Sequence, residues 1–100
     1  MKLWLDDVRK PTDDYYWVKT VNDAKNFIEL TEEGWFTAIS LIDLDHDAGD
    51  YAKEGGDYIK LLDWLEETGR NYPIRIHSMN PVGVESMRRI IERNGWTEVK

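Results

Sequence analysis

Two histidines and a scatter of aspartates carry most of the chemistry open to this 100-residue chain. Asp6 and Asp7 directly follow the apolar stretch Leu3-Trp4-Leu5. Asp45, His46 and Asp47 follow the most hydrophobic run, Trp35 to Leu44, and His77-Ser78-Met79-Asn80 follows Tyr72 to Ile76. Carboxylates that offer only oxygen and leave coordination positions open suit Mg²⁺ or Mn²⁺ better than zinc. Neighbouring strands lie roughly 4.8 Å apart, so Asp6 or Asp7 could share one cation with Asp45 if their strands are adjacent. An unperturbed histidine titrates near pH 6.5, which lets a pair serve as general base and general acid. Asn80-Pro81 opens a helix, and Gly83 leaves room at an N-terminus whose free amides favour an anion. Carboxylates, a cation, histidines and an anion site together point to phosphate chemistry. A calcium loop competes for Asp43, Asp45, Asp47 and Glu54, which match positions 1, 3, 5 and 12 of an EF-hand. Ala48 stands where that loop's turn calls for glycine, and the preceding residues read as strand rather than helix.

These residues need elements that gather them. Leu3 to Leu5 reads as a buried strand, residues 8 to 14 as a loop, and Tyr15 to Lys19 as an edge strand. Thr20 with Asp23 resembles a capping box opening a helix whose stripe is Val21, Ala24, Phe27 and Ile28; Gly34 stops it. Trp35 to Leu44 reads as a central parallel strand. Asp57 is placed to cap a second helix with Tyr58, Leu61, Leu62 and Leu65 on one face, ended by Gly69. Tyr72 to Ile76 forms the next strand, and Arg75 within it marks an exposed face or an edge. A third helix, with Val84, Met87, Ile90 and Ile91 as its stripe, runs from Asn80 to Gly95, and Trp96 to Lys100 is at most a short strand. Alternating strands and helices imply parallel pairing with right-handed crossovers. The expected fold is therefore α/β: a reduced receiver-like or flavodoxin-like three-layer sandwich, about four parallel strands in order 2-1-3-4, the first helix replaced by a loop. Ligands bind such sheets outside the carboxyl ends of the strands, where all three polar clusters fall.

The totals narrow the partners. One hundred residues make one domain, residues 1–100. With no cysteine, thiolate nucleophiles, cysteine metal sites and disulfides are excluded. A net charge of −7 argues against a duplex-DNA groove, yet a divalent cation can still bring an anion to an acidic site. No apolar run approaches the roughly 18 residues of a membrane helix, and nothing at the start reads as a signal peptide, so a cytoplasmic protein is expected. The oligomeric state is left open.

Three motifs carry a resemblance. Leu3-Trp4-Leu5-Asp6-Asp7-Val8-Arg9-Lys10-Pro11, then Ile39-Ser40-Leu41 leading to Asp45-His46-Asp47-Ala48-Gly49-Asp50, then Ile76-His77-Ser78-Met79-Asn80-Pro81-Val82-Gly83 resemble the cyclic-phosphate processing receiver domain family almost end to end. The resemblance implies a receiver-like fold and a phosphoric ester hydrolase acting on cyclic phosphates of nucleotides or RNA ends. It also implies Asp6, Asp7 and Asp45 as the metal group and His46 and His77 as the acid/base pair, with Arg9, Asp47, Ser78 and Asn80 around the phosphate. Asp43 fits either the site or a buried, paired carboxylate. Trp4, Tyr51 and Trp17 are candidates to stack on a base. The rival is a non-catalytic module that binds a cyclic nucleotide or signals like a receiver, with Asp45 accepting phosphate and Ser78 sensing it. A receiver also needs a lysine after a fifth strand, and only Lys100 lies beyond the last helix.

Overall fold

The computed structural model describes residues 1–12 and 14–100; Asp13, in the predicted loop, lies outside the described residues. In chain order the elements are β1 (Lys2–Leu5), β2 (Tyr15–Val18), α1 (Val21–Glu32), β3 (Leu41–Leu44), a 3₁₀ turn (Gly49–Lys53), α2 (Ile59–Glu67), β4 (Ile74–Ile76) and α3 (Pro81–Asn94). All strand pairs are parallel and the order is β2-β1-β3-β4, the expected reduced receiver-like α/β fold.

Register decides what each sheet face carries. Leu3 pairs with Ile42 and Ile42 with Ile74, while Leu5 pairs with Leu44 and with Val18. These side chains are buried in one core with Val21, Ala24, Phe27 and Ile28 of α1, Leu61, Leu62 and Leu65 of α2, and Met87, Ile90 and Ile91 of α3. The helices pack in a row, α1 on α2 and α2 on α3. Alternation puts the intervening residues on the opposite face: Lys2, Trp4, Tyr15, Trp17, Asp43 and Arg75. Among the described residues no helix connects β1 to β2, so on that side the sandwich is reduced to side chains and loop.

Several helix ends match their sequence signals. The Thr20 hydroxyl accepts from the Asp23 amide at 2.9 Å, and Asn80 Oδ1 accepts from the Gly83 amide at 3.0 Å with Pro81 at the first helical position. Gly95 closes α3 in the left-handed region, φ 67°. Other expectations are corrected. Residues 35–40 are not strand: Trp35 and Phe36 are exposed, and pairing begins only at Leu41. Asp57 does not cap α2; its carboxylate accepts from the Ala48 amide at 2.9 Å and so ties down the loop after β3. On α3, Gly83 is buried and Val84 only half-buried, because that turn faces a histidine ring. β4 starts at Ile74 rather than Tyr72, and the last residues make one isolated bridge, Ile74 to Glu98.

Candidate functional site

The carboxyl edge of the sheet collects the polar residues because three strands end there together. Asp6 leaves β1, Asp45 leaves β3 and its amide donates to the Leu5 carbonyl at 3.0 Å, and the His77 amide leaving β4 donates to the Leu44 carbonyl at 3.0 Å. Backbone pairing thus runs one residue beyond β3 and β4 and fixes the relative height of the loops.

Asp6 is fully buried and heavily engaged. One carboxylate oxygen accepts from the Val8 and Arg9 amides at 3.0 and 2.7 Å, a side-chain-built turn that shapes the loop after β1. The other lies 3.0 Å from His77 Nε2. Burial alone would raise the Asp6 pKa; the Arg9 and Val8 amides and then the His77 ring outweigh it and hold the carboxyl below its ordinary range. Asp7 lies against Gly49, where a Cβ would stand 2.5 Å from Asp7 Oδ2. Asp6, Asp7 and Asp45 each bring a carboxylate oxygen within 4.8 Å of the others. That spacing and an all-oxygen donor set fit a hard divalent cation.

His77 is the centre of a buried network. Its side chain is 7% exposed, with Nδ1 2.6 Å from Asp43 Oδ1 and Nε2 facing Asp6. Carboxylates only accept, so both contacts are hydrogen bonds only when the ring is an imidazolium. Asp43, also fully buried, accepts through its second oxygen from the Tyr15 hydroxyl at 2.8 Å and from Arg75 at 3.0 Å. Burial would raise the Asp43 pKa, but His77, Tyr15 and Arg75 together lower it. Trp4 stacks on the His77 ring, with centroids 3.8 Å apart and planes 7° from parallel. Asp43 is thereby a buried, paired carboxylate, and a calcium loop that needs it is ruled out.

His46 stands differently. Its Nδ1 lies 2.8 Å from Asp47 Oδ1, its amide donates to Asp45 Oδ1 at 2.7 Å, and its ring rests on Gly83. A Cβ at Gly83 would stand 2.4 Å from the His46 ring. Among the described residues, Nε2 has no protein partner. Arg9, Asp45, Asp47, Ser78, Met79 and Asn80 line a shallow cavity of about 300 Å³. Arg9 reaches the His77 carbonyl at 3.2 Å, Ser78 Oγ accepts from the Asn80 amide at 3.1 Å, and Asn80 Nδ2 donates to Asp47 at 3.4 Å. All nine sequence-predicted site residues therefore stand at this edge, and Asp43, Tyr15, Arg75, Trp4 and Gly83 join them. Of the stacking candidates, Trp4 is occupied by His77. Trp17 and Tyr51 line a separate groove of about 570 Å³ between β2 and α1, and none of the nine lines it.

Among the described residues no helix is long and apolar enough to cross a membrane. No curated protein and no solved structure matches the chain. The profile of the cyclic-phosphate processing receiver domain matches residues 1–93. With that match over nearly its whole length, and the fold and strand-end site in place, the chain belongs to the cyclic-phosphate processing receiver domain family.

Proposed function

We propose that the protein is a metal-assisted phosphoesterase that opens a cyclic phosphate, either a cyclic nucleotide or a 2′,3′-cyclic end of RNA. The observation that carries this reading is the meeting of a three-carboxylate group with a cavity lined by Arg9, Ser78 and Asn80, next to a histidine with an open ring nitrogen. Charge supports the cation. Asp6, Asp7, Asp45 and Asp47 face one guanidinium, Arg9, so a phosphate would be repelled unless a divalent ion offsets the excess. Asp6, Asp7 and Asp45 would hold Mg²⁺ or Mn²⁺, which when bound supplies Lewis-acid stabilisation of charge on the phosphate oxygens.

The histidines divide the work. His46, steered by Asp47 on Nδ1, presents Nε2 as the general base. Water adds to phosphorus while one P–O ester bond breaks; His46 takes the proton from the water and later returns it to solvent. The departing alkoxide is protonated from the solvent-filled cavity. The Arg9 guanidinium stabilises the charge that builds on the phosphoryl oxygens. His77, with both nitrogens on carboxylates, acts as a positioning residue that holds Asp6 in place beside the metal group.

The test incubates the protein with 2′,3′-cyclic and 3′,5′-cyclic nucleotides in Mg²⁺, Mn²⁺ or EDTA, following products by chromatography with a His46→Ala control. Turnover that needs both the metal and His46 is expected. No turnover with binding retained in a thermal shift would replace the phosphoesterase with a binding module. A stable phosphoryl adduct after exposure to a small phosphodonor would make Asp45 a receiver-type acceptor. No observation favours that, since Lys100 pairs with Glu98 at 3.6 Å rather than with the acidic group.

A further inference from the structure

Among the described residues, eight large hydrophobic side chains are exposed, and the three most exposed are Met79 at 83%, Val8 at 78% and Val82 at 76%. A scattered exposed hydrophobe is ordinary; apolar side chains gathered at the mouth of a polar cavity are not. Val8 lies on the loop after β1, one residue from Asp7 and from Arg9. Met79 lines the phosphate cavity itself. Val82, in the first turn of α3, lines a second depression of about 320 Å³ with Pro81, Glu85, Ser86 and Arg89. The strip from Met79 to Val82 passes directly from the one hollow to the other, Met79 and Asn80 lining the first and Pro81 and Val82 the second, and the second has a hydroxyl, a carboxylate and a guanidinium on its walls.

We propose that this strip is a shelf for the base of a nucleotide whose phosphate occupies the cavity, with Met79 and Val82 setting the preference for nucleoside phosphates over simple cyclic phosphates. This rests on the phosphoesterase reading and names its substrate class. A base is flat and apolar on its faces and polar at its rim, which suits a floor of thioether and branched side chains beside Ser86, Glu85 and Arg89. Bonding through faces rather than edges tolerates any of the four bases. The larger Trp17 and Tyr51 groove is the weaker host, because the Lys19 ammonium stands 4.7 Å from the Trp17 ring and 5.8 Å from that of Tyr51, and no residue of the phosphate cavity lines it.

Methionine provides the probe. The chain has three: Met87 is fully buried, Met1 is partly buried against the core and Met79 is exposed, so a ¹³C-methyl label with Met79 assigned by substitution reads the strip. The protein is titrated in Mg²⁺ with adenosine 2′,3′-cyclic phosphate and with glycerol 1,2-cyclic phosphate, which lacks a base. The adenosine compound should move the Met79 methyl signal by its ring current, and the glycerol compound, which has no ring, should move it much less. In a Val82→Ser variant the adenosine compound should bind about fivefold more weakly, with the glycerol compound within about twofold of its original affinity. Three results would overturn the shelf: an unmoved Met79 methyl with the adenosine compound bound, ring signals of Trp17 and Tyr51 shifting instead, or a Val82→Ser variant that keeps its preference. Failure of both compounds to bind under any metal condition would bring down the phosphoesterase reading, and the shelf with it.

Discussion

His46 owes its place to an atom its neighbour lacks. Gly83 sits in the first turn of α3 with ordinary helical backbone, where alanine would be intrinsically better by about 1 kcal/mol. Alanine's Cβ, however, would stand 2.4 Å from the His46 ring. Gly83→Ala is expected to keep the fold by circular dichroism while turnover of a cyclic nucleotide falls about 10²-fold, the penalty for a misplaced catalytic group. Undiminished turnover would show that the position of His46 does not matter. His46→Ala itself should cost about 10²–10⁴-fold. Asp43 makes a different prediction, because it touches no cavity and binds three buried or half-buried partners. Asp43→Ala leaves the His77 ring short of a partner and should cost about 3–5 kcal/mol in a denaturant titration, far more than a surface change. Residue by residue, the site was legible wherever chemistry sits at a strand end or a helix start, as with Asp6, Asp45, His46 and Asn80. Tyr15, Arg75 and Trp4 were not, since their part depends on which residues lie side by side across four strands. The sequence reads Gly83 as room for an anion; the His46 ring fills that room.

At the scale of elements, local chemistry located most helix ends and misjudged the start of two strands and one cap. Thr20 and Asn80 cap as their types predict, and both are readable because the bond closes within three residues. Thr20→Ala should cost about 1 kcal/mol without touching turnover; Asn80→Ala should cost a similar amount and also weaken phosphate binding, because Asn80 lines the cavity. Equal activity for the two variants would remove Asn80 from the site. The run from Trp35 to Ser40 misleads because hydrophobicity does not say where pairing starts: β1 is four residues long, and β3 matches it residue for residue from Leu41. Asp57 misleads because an aspartate ahead of a helix can bond the nearest amide or a distant one. Here the distant one, nine residues back at Ala48, wins and shapes the loop that carries His46 and Asp47.

For the molecule as a whole, two buried carboxylates set the acid limit of stability. Asp6 and Asp43 sit below the ordinary carboxyl value of 3.8, so the unfolded chain takes up their protons first as pH falls. Their contribution is fully present above that value and is lost progressively below about pH 4, as pH passes through the folded-state values. Tyr15, Tyr58 and Tyr72 act on the alkaline side: burial raises all three, Tyr15 up to about 12 from 10.0 with the help of its bond to Asp43, so stability present below pH 10 is lost as pH rises above it. Thermal melts across pH should show both shoulders, and Asp43→Asn should diminish the acid one. The strand order and the crowding of polar residues at one edge were legible from alternation and connectivity alone; the fate of the helix-free face was not, because nothing local announces that a sheet face will be closed by its own side chains. That face has a kinetic consequence. Tyr15 on β2, Asp43 on β3 and Arg75 on β4, with Trp4 of β1 against the same histidine, form one stitch from edge to edge. Peeling away either outer strand would expose a carboxylate partner, so the amides of β2 and β4 should exchange with deuterium almost as slowly as those of β1 and β3, and the sheet should open as a single unit or not at all.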